Sequence, residues 1–175
     1  MDAVLTTEHP QDASPPRHAA LSDVALTAPV PGREESADAI HVSAVVIRNS
    51  DGEVLTVRKS GTDRFMLPGG KPEPGETPVQ TAVRECAEEL SVELWPEDLR
   101  ELGTFHAAAA NEPGRLVTGE IFLHDAAPAA VDAAPASEIA ELRWLSPAAE
   151  PMPEDLAPLL AEEVLPALKG EETRA

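Results

Sequence analysis

One segment of the chain, from Gly70 to Val92, constrains its fold more than any other: GKPEPGETPVQTAVRECAEELSV. Helical geometry of about 100° per residue places Glu85, Glu88 and Glu89 within an arc of roughly 100°. The opposite side of that helix carries a narrow apolar stripe, which consists of Val79, Val83, Cys86 and Leu90. One face of the helix can therefore pack on a core while the other holds cations.

Both ends of this helix are marked in the sequence. Thr77 can act as the N-cap, with Pro78 at the first helical position and Gln80 completing a capping box. The helix is therefore predicted to run from Pro78 to about Leu90. Ser91 follows where the chain needs a left-handed turn, which costs a residue other than Gly about 1–2 kcal/mol. We expect a slightly strained turn there and no effect on the acidic face.

The acidic face has a simpler alternative explanation, because Glu-rich helix faces are usually just solvated and this chain is rich in Glu. A solvated face would ordinarily intersperse Lys with Glu, so that residues four apart attract each other. Here Glu85, Glu88 and Glu89 repel one another with only Arg84 nearby. The pattern therefore favours a metal site over a solvated surface.

The rest of the chain predicts strands and one further helix. The predicted elements are a hairpin over residues 42–58 that turns at 49–52, a short strand at 65–67, a second hairpin from 99–109 and 115–124, a strand at 138–145 and a closing helix at 154–168. This order predicts an α/β fold, specifically an α/β/α sandwich with a mixed sheet, over residues 40–168.

Three other segments are predicted to lie outside this framework. Residues 1–39 contain no aromatic residue and several prolines, a composition that favours a disordered tail. Residues 125–137, rich in Ala and Pro, are expected to be flexible, and residues 169–175 form a short C-terminal tail. The predicted organisation is one domain between two tails.

Composition excludes several function classes. A net charge of -19 disfavours polymeric nucleic acid and anionic membranes, since both require a basic surface. A single Cys excludes an internal disulfide. The sequence shows neither a basic start followed by an apolar run nor a long apolar segment, so we expect neither secretion nor membrane insertion. We therefore expect a cytoplasmic protein that acts on a small molecule. The exposed part of the closing helix could pair with a second copy of the chain, so a homodimer is one alternative.

The segment at Gly70 resembles the Nudix box, and six of the seven Gly, Glu and Arg positions of that motif match. The matching residues are Gly70, Glu76, Arg84, Glu85, Glu88 and Glu89, with Ser91 in place of the usual final glycine. The preceding run Leu67–Lys71 is similar to the family's approach to the box. The resemblance implies the Nudix-type α/β/α sandwich and a hydrolase that cleaves phosphoanhydrides.

The resemblance also implies a set of metal ligands for Mg²⁺ or Mn²⁺. They are the carboxylates of Glu85, Glu88 and Glu89 and the backbone carbonyl of Gly69. Hard divalent cations prefer such oxygen ligands, and they can offset the charge of a phosphoanhydride. Arg84 is expected to pair with a box carboxylate, either Glu76 or Glu88, and to fix its orientation.

The general base is left open between residues inside and outside the box. Glu85 or Glu89 is the first hypothesis, and Glu138 is the external candidate, six residues before Trp144. An exposed Glu that merely begins a strand explains Glu138 equally well, and Glu120 is a third option.

Three basic residues are assigned to phosphate groups of the substrate. Arg58 and Lys59 end the second predicted strand, and Lys71 follows the two glycines. For Arg58 and Lys59, a solvated strand end is an equally good explanation.

The substrate class implied by the resemblance is a nucleoside di- or triphosphate, or a nucleoside-diphosphate conjugate, as in MutT-like members. MutT reads its oxidised guanine partly with an Asn at the start of the last helix, where this chain has Glu154 and Asp155. Two alternatives are a regulatory domain that binds a nucleotide without turnover and a diphosphate isomerase. The isomerase needs a catalytic Cys, whereas Cys86 is predicted to lie in the apolar stripe.

Overall fold

The structure is a computed structural model that describes residues 39–124, 135–136 and 138–172. The predicted N-terminal tail, apart from its last residue, and most of the predicted flexible stretch at 125–137 lie outside the described residues. The elements are β1 (Ile40–Val46), β2 (Val54–Lys59), β3 (Gly69–Gly70), α1 (Pro78–Leu90), β4 (Leu99–Ala108), β5 (Leu116–His124), β6 (Ile139–Leu145) and α2 (Leu165–Glu172). In this part of the chain no helix is long and apolar enough to cross a membrane.

The strands form a mixed sheet, as the sequence predicts. Four strands follow the order β3-β1-β5-β4, in which β1 runs parallel to β5 and the other neighbours are antiparallel. The remaining pair, β2 and β6, forms a separate antiparallel ladder. The predicted second hairpin is confirmed as β4 and β5, and the predicted last strand is confirmed as β6.

Two apolar layers cover the two faces of the central strands. Val45 of β1 packs with Cys86 and Leu90 of α1 in one buried cluster. Its neighbours Ala44 and Val46 belong to a second cluster, whose members from the end of the chain are Leu156, Leu160, Val164, Leu165 and Leu168. Because successive side chains of a strand point to opposite faces, β1 is covered by α1 on one side and by the C-terminal segment on the other. This layering confirms the predicted α/β/α arrangement.

Helix α1 begins and ends where the sequence predicts. The Gln80 amide donates to the Thr77 hydroxyl, and the Thr77 amide donates to the Gln80 side chain, so the capping box is complete. The predicted apolar stripe faces the core, where Cys86 and Leu90 are fully buried. Ser91 has a φ of 56°, and its amide donates to the Ala87 carbonyl at 3.1 Å. The predicted left-handed turn is therefore present with Ser in it.

The first predicted hairpin is only partly correct. The turn at residues 49–52 forms, with the Asn49 amide donating to the Glu53 carbonyl, but only the Arg48–Val54 bridge continues it. Beyond that bridge β1 pairs with β3 and β5, while β2 pairs with β6. Both edges of β1 are already occupied by these partners, so no edge remains to extend the hairpin ladder.

The closing helix starts later and ends later than predicted. A π-helical turn at Leu159–Val164 leads into α2, which continues to Glu172 and so includes four residues assigned to the C-terminal tail. The helix cannot begin at Glu154 because the preceding segment pairs elsewhere. The Phe65 amide donates to the Asp155 carbonyl, and the Phe65 carbonyl accepts from the Ala157 amide.

Replacing Ser91 by Gly should stabilise the protein. Gly adopts the observed φ of 56° without the steric cost that Ser pays there. We expect Ser91→Gly to raise the free energy of unfolding by about 0.5–1 kcal/mol, because the larger freedom of Gly in the unfolded chain offsets part of the gain. Urea unfolding of the wild type, Ser91→Gly and Ser91→Ala measures this. A Gly variant no more stable than the Ala variant would contradict the strain assigned to this turn.

Candidate active site

The acidic face of α1 opens into a cleft of about 740 Å³. Its charged end is lined by Lys59, Gly69, Gly70, Lys71, Glu73, Arg84, Glu85, Glu88, Glu89, Asn111, Glu112 and Glu138. Aliphatic side chains also line the cleft, among them those of Ile40, Val42, Ala44, Val117, Leu159 and Leu160. A cleft of this size, with both charged and aliphatic lining, can hold a ligand that has a charged and an organic part.

Arg84 is the hub of the charged end. Its Nε lies 2.8 Å from Glu76 Oε1, and its Nη1 lies 2.8 Å from Glu85 Oε1 and 3.0 Å from Glu88 Oε2. Its Nη2 donates to the carbonyl oxygen of Lys71 at 3.0 Å. The predicted pairing with a box carboxylate is therefore present for both Glu76 and Glu88. One guanidinium joins three carboxylates to the loop that precedes the helix.

Glu76 anchors this hub to the start of the helix. Its carboxylate accepts hydrogen bonds from Arg84, from the Glu73 amide and from the Thr81 hydroxyl. These bonds favour the ionised form, and the Arg84 bond, followed by the Glu73 amide, holds the pKa of Glu76 at about 2. Glu76 is thus committed to positioning Arg84, so a proton-transfer role does not suit it.

Glu89 lies deeper than the other acidic residues of α1 and has a cationic partner. Only 4% of Glu89 is exposed, and its Oε2 accepts from the Gly69 amide at 2.9 Å. The Lys59 ammonium lies 2.7 Å from Glu89 Oε1 and donates to the Gly69 carbonyl at 3.3 Å. Burial alone would lower the pKa of Lys59, but the Glu89 carboxylate outweighs it and the pKa lies above its usual value. Lys59 is therefore a charged ammonium between two oxygen atoms.

At both glycines of β3 a Cβ would lie too close to a neighbouring residue, to the backbone at Gly69 and to the Glu85 side chain at Gly70. A Cβ on Gly70 would lie 2.3 Å from Oε1 of Glu85, and a Cβ on Gly69 would lie 2.3 Å from the Ser43 carbonyl oxygen. Neither distance is compatible with an unperturbed structure, because real carbon–oxygen contacts are longer than 3 Å. The glycine at position 70 therefore leaves the space into which the Glu85 carboxylate extends.

The predicted metal ligands lie together, although they are engaged with cationic side chains. Gly69, Glu85, Glu88 and Glu89 all line the cleft. Among the described residues no three His, Cys, Asp or Glu side chains converge as a ready cation site. These carboxylates do not converge because each already has a cationic partner. Arg84 forms ion pairs with Glu85 and Glu88, and Lys59 forms one with Glu89.

The donor set nevertheless fits a hard divalent cation. Oε1 of Glu89 is fully buried, and no hydrogen-bond donor of the described residues is aligned with it. A buried anionic oxygen is costly unless a cation compensates it, and here Lys59, 2.7 Å away, is that cation. Carboxylate and carbonyl oxygens are the ligands that Mg²⁺ and Mn²⁺ prefer. The metal assignment remains a prediction that the chemistry of these residues supports.

The other predicted site residues fall into two groups. Glu138 lines the cleft, and so does Lys71, whose ammonium lies 3.9 Å from Glu112. Arg58 and Glu120 are not among the lining residues. Arg58 and its neighbour Lys59 point to different sides, since Arg58 contacts Glu141 whereas Lys59 contacts Glu89.

Arg58 is engaged outside the cleft. Its Nη2 lies 2.8 Å from Glu141, and its Nη1 donates to the Thr62 carbonyl. The structure therefore separates the two basic residues that the sequence assigned together, and it does not support a phosphate-binding role for Arg58.

Cys86 is a core residue, as predicted. It is fully buried in the cluster beneath α1, and burial, followed by the nearby Glu89 and Glu85 carboxylates, raises the pKa of its thiol. A buried thiol with a raised pKa is a poor nucleophile at neutral pH. The position of this side chain therefore argues against an isomerase that uses a catalytic Cys.

Sequence reasoning missed two features of the site. The contact between Lys59 and Glu89 joins residues thirty positions apart, and no local pattern signals it. The turn between β4 and β5 contributes Asn111 and Glu112 to the cleft, whereas its sequence indicates only a turn. The parallel pairing of β1 with β5 brings that turn to the charged end, and this pairing is a property of the whole sheet.

Comparison with known proteins gives one family and a consistent fold. The NUDIX domain model matches residues 38–168. Over short segments the chain is 41% identical to an RNA pyrophosphohydrolase of Halorhodospira halophila (34% of this chain, 32% of that protein). It is 35% identical to an 8-oxo-dGTP diphosphatase of Escherichia coli (30% and 44%). The aligned segments thus span less than half of either relative.

Solved structures resemble most of the chain. The MutT protein of Methanosarcina mazei has a TM-score of 0.60 at 23% identity, covering 77% of this chain and 94% of that one. The solution structure of the Escherichia coli ORF135 protein has a TM-score of 0.56 at 27% identity, covering 82% and 96%. These likenesses show that the α/β fold described above is the one shared by Nudix proteins.

The depressed pKa of Glu76 predicts how the hub contributes to stability as pH changes. A carboxyl whose pKa is lowered on folding stabilises the folded state above its unfolded pKa, and this contribution is lost as pH falls through the folded pKa. The stability difference between wild type and Glu76→Gln should be constant above pH 4.5, the ordinary pKa of Glu. It should shrink as the pH falls from there toward the pKa of Glu76 in the folded protein, about 2. Urea unfolding at about pH 6 and about pH 3, without divalent cations, measures it. An equal difference at both pH values would contradict the assigned pKa.

Proposed function

The chain belongs to the Nudix family, and we propose that it is a divalent-metal-dependent pyrophosphohydrolase. Its proposed substrate is a nucleoside di- or triphosphate, or a nucleoside-diphosphate conjugate, whose phosphoanhydride bond it hydrolyses. The observation that carries the proposal is the charged end of the cleft. There the Arg84 hub, the buried Glu89 and the ammonium of Lys59 surround one space beside Gly69 and Gly70.

The metal would be held by oxygen atoms of Glu85, Glu88, Glu89 and Gly69. When bound, Mg²⁺ or Mn²⁺ supplies positive charge to phosphate oxygens and makes a water molecule more acidic. Nudix hydrolases generally use a divalent metal, which supports this assignment. Arg84 contributes by holding Glu85 and Glu88 in fixed orientations, since it is bonded to both and to Glu76.

Substrate phosphates would meet Lys59 and Lys71, the two lysines that line the cleft. An ammonium is a compact charge that binds phosphate well without demanding one geometry. The organic part of the substrate would then lie toward Val42, Val117 and Leu159, which are aliphatic residues of the cleft lining. Burial of this part against apolar surface would contribute most of its binding energy.

For the general base we propose Glu85. Its Oε1 is bonded to Arg84 at 2.8 Å, which fixes the carboxylate beside Gly70 and leaves Oε2 to accept a proton from water. Glu89 suits this role less well, because one of its oxygens accepts from the Gly69 amide and the other contacts Lys59. Glu138 lines the cleft and remains the external alternative.

The names of the relatives suggest two kinds of substrate. One is a free nucleotide, as for the 8-oxo-dGTP diphosphatases, and the other is RNA, as for the RNA pyrophosphohydrolases. A net charge of -19 favours the free nucleotide, because an RNA chain would be repelled. Selective recognition of 8-oxo-guanine through Asp155 is not expected, since both its carboxylate oxygens accept from Arg143.

The proposed place of action is the cytoplasm. Cys86 is free and buried, and the chain contains no second cysteine with which it could form a disulfide. A single unpaired cysteine fits a reducing compartment.

A substrate panel tests the proposed reaction and separates it from nucleotide binding without turnover. The protein is incubated with Mg²⁺ and dGTP, 8-oxo-dGTP, ADP-ribose, a dinucleoside tetraphosphate or 5′-triphosphorylated RNA, and release of phosphate or pyrophosphate is followed. We expect turnover of at least one small nucleotide, faster than that of the RNA, and none with EDTA. Binding without turnover of any compound would identify a regulatory domain and contradict the proposal.

Glutamine variants on the best substrate test the base. Glu85→Gln should lower kcat by about 10²–10⁴ or more, because it removes the proposed general base and also alters a proposed metal ligand. Glu138→Gln should lower kcat by less than about tenfold, since an auxiliary charge contributes less than the base itself. Glu93→Gln serves as the control, because Glu93 is exposed outside the cleft. A loss at Glu138 larger than that at Glu85 would move the base outside the helix.

A further inference from the structure

Lys59 occupies an unusual position for a residue that binds substrate. Its ammonium lies against Glu89 Oε1 at 2.7 Å and the Gly69 carbonyl oxygen at 3.3 Å. Both oxygen atoms belong to the ligand set proposed for the metal. The ammonium and a divalent cation therefore require the same two atoms.

These contacts are built into the fold. Lys59 ends β2, which is fixed by its ladder with β6. Gly69 is fixed by the pairing of β3 with β1 and by the hydrogen bond that its amide donates to Glu89 Oε2. Glu89 itself is almost fully buried, so its charge is poorly screened by water. A buried carboxylate needs a compensating cation, and Lys59 provides one from within the chain.

We propose that Lys59 is an internal counter-ion that competes with the divalent metal for Glu89 and Gly69. The inference rests on the proposed metal site. Metal binding then requires the ammonium to leave Glu89 Oε1 and the Gly69 carbonyl. The same side chain becomes available to substrate phosphate only after that displacement, so metal binding precedes the use of Lys59 on substrate.

Direct measurement of Mn²⁺ binding tests the competition without any substrate. Titration of Mn²⁺ by electron paramagnetic resonance at one fixed pH compares wild type, Lys59→Met and Arg58→Met. Arg58→Met is the matched control: it removes one positive charge from the adjacent residue, whose side chain pairs with Glu141 outside the cleft. We expect Lys59→Met to bind Mn²⁺ at least about tenfold more tightly, because no partly buried ion pair has to be broken first. Arg58→Met should stay within about threefold of wild type, since exposed charges act weakly.

A second readout uses the wild-type protein and so does not depend on the folding of a variant. The chain contains three lysines, Lys59, Lys71 and Lys169. Reductive methylation followed by mass spectrometry gives the labelling rate of each. Adding Mg²⁺ should raise the rate at Lys59 relative to Lys169 by about threefold or more, because the released amine is exposed to the reagent.

The outcomes are distinguishable. If wild type binds Mn²⁺ and Lys59→Met binds it no more tightly than Arg58→Met does, the competition is wrong and the proposed metal site stands. Unchanged labelling of Lys59 in Mg²⁺ that saturates the wild type would also overturn it. If neither wild type nor Lys59→Met binds Mn²⁺, the metal site and the competition are both wrong.

Discussion

Like-charge repulsion on one face of α1 is the constraint that organises the rest of the site. Glu85, Glu88 and Glu89 lie on one side of a single helix, and such a cluster is unfavourable unless positive charge compensates it. The structure provides two cations. Arg84, from the same helix, bonds Glu85 and Glu88, and Lys59, from β2, contacts Glu89. Because the two cations come from different elements, the charged end of the cleft also joins the helix to the sheet.

The apolar stripe of α1 makes this arrangement possible. Cys86 and Leu90 are fully buried against the sheet, which fixes the rotation of the helix and hence the direction of its acidic face. The stability of the helix therefore comes from its buried face and its capped start, while the acidic face is left for chemistry. A metal-dependent hydrolase requires this division, because a cation site must be rigid and yet remain accessible to substrate.

The sequence predicts local features well and long-range contacts poorly. The limits of α1, its capping box and the left-handed turn at Ser91 each depend on residues within a few positions of one another. The prediction of the first hairpin is only partly correct because the partners of β1 are distant in the chain. The closing helix starts later than predicted because Phe65 pairs with residues 155 and 157. The contact between Lys59 and Glu89 is likewise long-range, since it depends on how β2 and α1 are arranged in the fold.

In the proposed site, the acidic face of α1 binds a divalent cation at atoms that Lys59 contacts. An anomalous difference map from crystals that contain Mn²⁺ would locate that cation. We expect an anomalous peak within roughly 2–2.5 Å of Glu89 Oε1 and the Gly69 carbonyl oxygen, with the Lys59 ammonium moved away from both. If the protein is saturated with Mn²⁺ but the peak lies elsewhere, the proposed metal site is wrong. If Lys59 still contacts Glu89 in the Mn²⁺ complex, the proposed competition is wrong.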